Sequence, residues 1–169
     1  PLCKVTDDLY IGAFVMFGDV ELTVHCAAEL LKRAPEYDYI IAPEAKAIPL
    51  LYEMARQSGV NEYVVARKGL KVYMPNPIHV EDNSITTVGT QRLFLGSDDA
   101  ALIRGKRIVL MDDVISTGGS LLAMEHLVEL AGGTVVDRIA VLAEGAAAQR
   151  KDIKFLAPLP VFNADGTIK

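Results

Sequence analysis

Short apolar runs and longer amphipathic segments follow one another along the chain, and this alternation predicts strands and helices in turn. The run from Arg107 to Met111 is typical of a buried strand, and so is the short run that ends at Pro43. We expect strands, some of them short, over Tyr39–Ala42, Glu62–Ala66, Leu70–Met74, Arg107–Met111, Thr134–Ala143, Lys154–Leu156 and Val161–Phe162.

Helix start and stop signals lie between these runs. Asp19 is a suitable N-cap, Gly59 a suitable end, and Gly132 and Gly133 another. The helices expected are Val20–Arg33, Ala47–Gln57, a short one from Ser97, and one from Thr117 or Gly118 to Ala131. The alternation predicts an α/β fold: a Rossmann-like, largely parallel sheet flanked by helices, in which ligands bind at the carboxyl ends of strands. We find no linker or repeat, so we expect one domain over residues 1–169.

The segment from Pro75 to Thr90 differs from its surroundings. It is polar and rich in turn-forming residues, apart from the strand-like Ile85–Val88. A polar stretch of this length in a compact domain is usually a mobile functional loop or a protruding hairpin. We therefore expect a flexible loop or hairpin over the functional site.

Composition narrows the function classes. The chain has 169 residues, 51% of them hydrophobic, and a net charge of -5, which argues against a nucleic-acid partner. Two cysteines, Cys3 and Cys26, are too few for a disulfide framework and match no metal-ligand spacing. No apolar run approaches the roughly 18 residues of a membrane-spanning helix. We expect a reduced, cytoplasmic protein that does not act on membranes.

The chemistry is concentrated after the strand that ends at Met111. Asp112 and Asp113 come first, and small residues follow that open a helix: Ser116, Thr117, Gly118, Gly119 and Ser120. Small side chains let a ligand approach the backbone, and free N–H groups at a helix start attract an anion. The second half of this segment is therefore predicted to be a phosphate cradle.

Two carboxylates next to a phosphate site need another partner. A ribose diol, which donates two hydrogen bonds, is one, and a divalent cation shared with the ligand is another. Ribose and phosphate subsites so close together suggest a ribose 5-phosphate. The glycine patterns of dinucleotide and nucleoside-triphosphate sites are absent from the sequence. The alternative is that the acids end the strand and Gly118-Gly119 is only a tight turn.

This segment resembles the ribose-phosphate signature of the type I phosphoribosyltransferases. The resemblance is closest to the adenine enzymes, and it extends from about Asp19 to Phe162. Residues 41–47 are similar to the family's pyrophosphate loop, although Lys46 stands where arginine is usual. Residues 64–71 are similar to its Arg-Lys…Lys segment, and residues 156–162 resemble its C-terminal strand.

The resemblance implies displacement of pyrophosphate from 5-phosphoribosyl-1-pyrophosphate (PRPP) by a nucleobase, with Mg²⁺ bound through PRPP near Asp112 and Asp113. These acids would hold the ribose hydroxyls, and residues 116–120 would anchor the 5-phosphate. The implied pyrophosphate site comprises Glu44, Ala45, Lys46, Ala47, Arg67, Lys68 and Lys71; Asp112, Asp113 and Lys46 are the implied catalytic residues. The resemblance also implies closure of Met74–Thr90 over the site and a homodimer. Without it, the cations of residues 67–71 could equally form an exposed basic face.

Three departures leave the acceptor base open. Hypoxanthine-guanine enzymes have an aspartate at the position of Ser116. Adenine enzymes use a loop glutamate where the alignment places Thr87, with Glu81 and Asp82 close by. Their adenine-stacking Phe-Arg segment corresponds to the stretch near Ile11–Ala13. Adenine is the best-supported acceptor, while a different base and a non-catalytic sensor that binds PRPP stay open.

Overall fold

The computed structural model describes residues 1–82 and 91–169. Its strands are β1 (Leu2–Thr6), β2 (Leu9–Gly12), β3 (Tyr39–Pro43), β4 (Val64–Ala66), β5 (Ile78–Asp82), β6 (Gln91–Leu95), β7 (Arg107–Ile115), β8 (Thr134–Glu144), β9 (Lys154–Leu159) and β10 (Val161–Phe162). Its helices are α1 (Val20–Leu31), α2 (Ile48–Ser58), α3 (Ser97–Ile103), α4 (Gly119–Leu130) and a short 3₁₀ helix, Gly145–Gln149. Within the described ranges, no helix is long and apolar enough to cross a membrane.

A parallel sheet of five strands forms the centre of the molecule, in the order β4-β3-β7-β8-β9. From β3 the chain passes outward through α2 to β4, and it later returns to the other side of β3 as β7. The strand order therefore reverses between β3 and β7. In open α/β sheets ligands bind at such a reversal, outside the carboxyl ends of the strands. The confirmed parallel sheet thus directs attention to the ends of β3 and β7.

Strand β7 is apolar on both faces because helices cover both sides of the sheet. Ile108 and Leu110 belong to the core cluster beneath α4, whereas Val109 and Met111 belong to the cluster beneath α1 and α2. All four side chains are fully buried. The strand is therefore fixed from both sides up to the acids that follow Met111.

Two smaller sheets flank this centre. Strands β1, β2 and β10 form an antiparallel sheet in the order β1-β2-β10. Strands β5 and β6 pair as an antiparallel hairpin, which packs against α4. The expected hairpin thus exists as far as Asp82 and from Gln91 onward, and Ile85–Val88 and Thr87 lie outside the described residues. Its closure over the site stays a prediction.

The helix signals and several strand boundaries can now be compared with the structure. Asp19 caps α1, because its Oδ1 accepts a hydrogen bond of 2.9 Å from the Leu22 N–H, and Gly59 ends α2 in the left-handed region with φ 76°. The strand expected over Leu70–Met74 was wrong: this stretch is a turn, and Val72 is fully exposed. Strand β7 also continues to Ile115, so the two acids lie inside the strand rather than after it.

Candidate active site

The ends of β3 and β7 form one cleft. It is partly open to solvent, and the space inside it, open solvent included, is about 480 Å³. The cleft is lined by Pro43, Glu44, Ala45, Lys46, Lys68, Asp112, Asp113, Val114 and Ser120. The loop between β3 and α2 therefore faces the loop between β7 and α4, as expected for neighbouring parallel strands.

A direct contact joins these two loops. The Lys46 ammonium lies 2.8 Å from Asp113 Oδ2; the Lys46 side chain is half exposed, whereas Asp113 is 2% exposed. Asp113 Oδ2 meets no aligned hydrogen-bond donor in the part of the chain that the structure describes, so the contact is an ion pair without hydrogen-bond geometry. A buried carboxylate is costly unless it is paired, so the contact with Lys46 offsets part of the cost of burying Asp113.

The neighbouring Asp112 accepts a backbone hydrogen bond and has a raised pKa. Its Oδ1 accepts a 2.8 Å hydrogen bond from the backbone N–H of Asp113. Burial and then the adjacent Asp113 side chain raise the pKa of Asp112 to about 8, against the opposing influence of Lys46. At neutral pH this shift favours the protonated form of Asp112. The pair is suited to meet hydroxyl groups, since a ribose diol can both donate and accept hydrogen bonds.

A second cationic group surrounds Glu44. Arg67 Nη2 lies 3.1 Å from Glu44 Oε1, the Lys68 backbone N–H donates to Oε2 at 3.1 Å, and Lys71 Nζ lies 3.6 Å from Oε2. Burial opposes ionisation of Glu44, but the hydrogen bonds from Lys68 and Arg67 outweigh it and lower the pKa of this carboxyl. The Arg67 guanidinium also lies over the Tyr73 ring, 5.8 Å from its centroid. Glu44 thus occupies a cluster of cations suited to bind a polyanion.

The predicted phosphate cradle surrounds the start of α4. Gly118 is the N-cap and has φ 86°, a conformation that favours glycine, and the helix begins at Gly119. Ser116 and Thr117 are exposed, whereas Ser120 is half-buried and lines the cleft. Backbone N–H groups of the first turn have no partner within the helix and can bind an anion.

The structure does not place every predicted site residue in the cleft. Arg67 and Lys71 do not line the cleft but pair with Glu44, which does. Ser116 to Gly118 form the loop that leads into α4, and Gly119 is the first residue of that helix. Ala47 precedes α2 and is 1% exposed within the hydrophobic core, so its side chain does not line the site. For the open question of the base, Ile11 pairs with Val161 of β10, and Glu81 forms an ion pair with Arg92 at 2.8 Å across the hairpin.

Two polar residues near the site were not found by sequence reasoning. Glu144 ends β8; burial raises the pKa of its carboxyl, and Lys46 opposes that shift. Arg150, just after the 3₁₀ helix, brings its Nη1 to 2.6 Å from where a Cβ on Gly118 would stand. Neither residue belongs to a motif, and only the folded arrangement of β7, β8 and α4 makes them neighbours of the cleft.

The acids of the cleft are possible ligands of a metal ion. No group of three or more His, Cys, Asp or Glu side chains that could hold a metal ion occurs in residues 1–82 and 91–169. Two neighbouring carboxylates are still the type of ligand that Mg²⁺ prefers, and this ion is often bound through one or two carboxylates together with substrate phosphates. The residues therefore fit a Mg²⁺ ion that arrives with a phosphorylated ligand rather than a resident metal.

Comparison with known proteins shows the family of this chain. Residues 23–163 match the model of the phosphoribosyl transferase domain. The chain is similar to an adenine phosphoribosyltransferase of Corynebacterium jeikeium (36% identity, 86% of this chain) and to a hypoxanthine/guanine phosphoribosyltransferase of Methanothrix soehngenii (32% identity, 68% of this chain). The matches span 65% and 56% of these relatives' lengths, less than two thirds of each.

Among solved structures, an adenine phosphoribosyltransferase of Thermoanaerobacter pseudethanolicus has a TM-score of 0.69 and 27% identity to this chain, and the match covers 83% of this chain and 82% of that one. The α/β fold of the chain thus agrees with the sequence match. The chain belongs to the phosphoribosyltransferase family.

Proposed function

We propose that this protein transfers the phosphoribosyl group of PRPP to a purine base, with adenine as the acceptor and pyrophosphate as the second product. The observation that carries the proposal is the contact of 2.8 Å between Lys46 and Asp113, because it joins a cation of the proposed pyrophosphate loop to an acid of the proposed ribose site. PRPP carries pyrophosphate on C1 of its ribose. A site that binds both groups therefore needs cations for the pyrophosphate directly next to acids for the ribose.

The three parts of PRPP correspond to three parts of the cleft. The 5-phosphate would bind at the start of α4, at Ser116–Ser120, and the ribose diol would meet Asp112 and Asp113. The pyrophosphate would bind near Lys46, Arg67, Lys68 and Lys71, with the backbone of residues 44–47. In this order the ligand would lie across the carboxyl ends of β7 and β3.

The reaction forms a bond from a base nitrogen to C1 and breaks the bond from C1 to the pyrophosphate oxygen, which keeps the electron pair. The base loses its N–H proton, which passes to the leaving pyrophosphate or to water. Positive charge develops on the ribose ring, and negative charge develops on the leaving group. The acids next to the ring and the cations next to the pyrophosphate stabilise these charges. Mg²⁺ held by PRPP near Asp112 and Asp113 would neutralise further negative charge on the diphosphate.

A second candidate keeps the reaction and changes the acceptor. The 32% identity to a hypoxanthine/guanine enzyme over 68% of this chain favours a 6-oxopurine. Against it, Ser116 stands where the resemblance leads us to expect an aspartate in those enzymes. Adenine is proposed first because the 36% identity to an adenine enzyme extends over 86% of the chain.

The test is release of pyrophosphate from PRPP, with and without Mg²⁺, in the presence of adenine, hypoxanthine, guanine, xanthine or uracil in turn. We expect release with adenine and Mg²⁺ and the appearance of AMP. Release with hypoxanthine or guanine alone would replace adenine by a 6-oxopurine. Binding of PRPP in calorimetry without release in any mixture would contradict the enzyme and favour a PRPP sensor. The homodimer that the family resemblance implies is measured separately by light scattering.

A further inference from the structure

Arg150 lies against the predicted phosphate cradle, although it belongs to none of the segments that resemble the family's signatures. A Cβ built on Gly118 would stand 2.6 Å from Arg150 Nη1 and 3.9 Å from its Cζ. The guanidinium thus packs directly on the backbone of the N-cap of α4. A side chain at residue 118 would displace it, in addition to the strain that φ 86° imposes on any residue but glycine.

Asp152 fixes the orientation of this guanidinium. Arg150 Nε donates to Asp152 Oδ1 at 3.0 Å, and Nη2 donates to Oδ2 at 2.6 Å. Such a fork holds the plane of the guanidinium and uses one of its edges. The Nη1 group is on the other side, toward Gly118, and no acceptor among the described residues takes a hydrogen bond from it. The chain thus holds donors ready at the start of α4.

The predicted phosphate cradle has no cation in its own segment. Residues 116–120 carry hydroxyls and backbone N–H groups but no positive side chain, and Asp112 and Asp113 precede them. A phosphate monoester is close to doubly negative at pH 7 and binds most strongly to paired, charge-assisted donors. The ammonium group of Lys46 is engaged with Asp113 instead.

We propose that Arg150, oriented by Asp152, binds the 5-phosphate of the ribose through its Nη1 edge and acts as the cation of the phosphate cradle. This inference rests on the proposed function, because it assigns the 5-phosphate to the start of α4. Asp152 is a positioning residue: it keeps the guanidinium in place while the ligand is absent. The alternative is that Arg150 has only a structural role and supports the loop at Gly118.

The test is calorimetric titration with two ligands, ribose 5-phosphate and Mg²⁺-pyrophosphate. Arg150→Gln removes the charge, and the matched control is Arg107→Gln. Arg107 is likewise paired with carboxylates, Glu36 and Asp38, although it is more exposed than Arg150, and it lies at the amino end of β7, on the opposite edge of the sheet. Loss of a charge-assisted hydrogen bond predicts weaker binding of ribose 5-phosphate by about 10- to 100-fold in Arg150→Gln. Pyrophosphate affinity should stay within about twofold of the wild type, as should both affinities in Arg107→Gln.

Two further variants make the result independent of any folding defect. Arg150→Lys keeps the charge and loses the fork, so we expect an intermediate loss of ribose 5-phosphate affinity. Asp152→Asn keeps the arginine and weakens its anchor, so a loss of a few fold is expected, again confined to ribose 5-phosphate. Unchanged affinity in Arg150→Gln, or an equal loss of both ligands, would overturn this inference alone. A wild-type protein that binds no ribose 5-phosphate would overturn the proposed function together with it.

Discussion

The two proposed anion sites of the cleft are built in contrasting ways. At the start of α4 the donors are mostly backbone N–H groups and hydroxyls on a helix that is fixed by its packing. Near the end of β3 the donors are long cationic side chains, and the free protein already pairs them with carboxylates: Lys46 with Asp113, and Arg67 and Lys71 with Glu44. The first site is preorganised, whereas the second must exchange partners before it binds a ligand.

This difference matches the chemistry proposed for each site. The 5-phosphate does not change charge during the transfer, so a rigid cradle that binds it equally throughout is sufficient. The pyrophosphate gains negative charge as its bond to C1 breaks, so the useful interactions are those that strengthen late in the reaction. Cations released from Glu44 and Asp113 would form ion pairs with the pyrophosphate as its negative charge grows. Three variants test the contrast, from the largest expected effect to the smallest, and a last measurement concerns the stability of the free protein.

Removing both acids between the two sites should have the largest effect. Asp112→Asn combined with Asp113→Asn takes away the partners of the ribose diol and of Lys46, so PRPP binding is expected to fall by more than about 100-fold, at roughly 1.5–3 kcal/mol for each charged hydrogen bond. Calorimetry against PRPP measures it. The control variant carries Glu36→Gln and Asp38→Asn, two acids that pair with Arg107 at the opposite edge of the sheet. Unchanged PRPP affinity in the site variant would show that the acids do not hold the ribose.

Replacing Lys46 by alanine should separate the two sites. We expect turnover to fall by about 10²-fold, the cost of one electrostatic partner of a transition state, with ribose 5-phosphate affinity nearly unchanged. Steady-state rates and calorimetry on the same preparation give the comparison. Lys32→Ala is the control, since Lys32 is likewise an exposed lysine in an ion pair, here with Glu29 on α1. An equal loss of turnover and ribose 5-phosphate affinity would contradict a role confined to the leaving group.

Neutralising Glu44 should strengthen the binding of pyrophosphate near the end of β3. In Glu44→Gln the cations Arg67 and Lys71 keep their positions near the loop but lose a competing carboxylate, so pyrophosphate should bind about 3- to 10-fold more tightly. Product inhibition by pyrophosphate is the direct measurement, with Glu62→Gln as a control at an exposed glutamate. Weaker pyrophosphate binding would mean that Glu44 organises the cations rather than competing for them.

The last prediction concerns the stability of the free protein and its pH dependence. The pKa of Asp112 is raised to about 8, so between the ordinary value of 3.8 and that value the folded state binds more protons than the unfolded state. Stability contributed by this proton is present at low pH and is lost as pH rises toward 8, with a slope of at most about 1.4 kcal/mol per pH unit. Urea unfolding between pH 5 and 8 in a chelating buffer should show this slope in the wild type. Asp112→Asn should reduce it, and equal slopes would refute the assignment.

The parts of the fold that the sequence revealed are those with strong local signals. The central strands β3 and β7 are continuous apolar runs, and the small residues after Asp113 have few alternative explanations. The antiparallel strands were harder to predict, because β1 is exposed along its whole length and has no buried face to give an alternating pattern. For Leu70–Met74 the sequence predicted a strand that does not exist, since its apolar residues are exposed in a turn.

The candidate site shows the same division. Lys46 and Asp113 were identified separately, each from its own loop, but their contact depends on β3 and β7 becoming neighbours. Arg150 gave no signal, because its importance comes from a contact with Gly118 that exists only after β8 and α4 have packed. Local motifs therefore find the residues of a segment, while residues that reach the site from elsewhere require the tertiary structure.

The strand order has a consequence for how the protein unfolds. Pairing of β3 with β7 closes a long loop that contains α2, β4, the β5–β6 hairpin and α3, so the cleft exists only while this non-local pairing persists. PRPP would touch both strand ends and act as a reversible cross-link across that loop. At 100 times its dissociation constant it should stabilise the native state by about 2.7 kcal/mol. Backbone amides of β3 and β7 should then exchange their hydrogens together and more slowly, reporting ligand binding from the middle of the sheet.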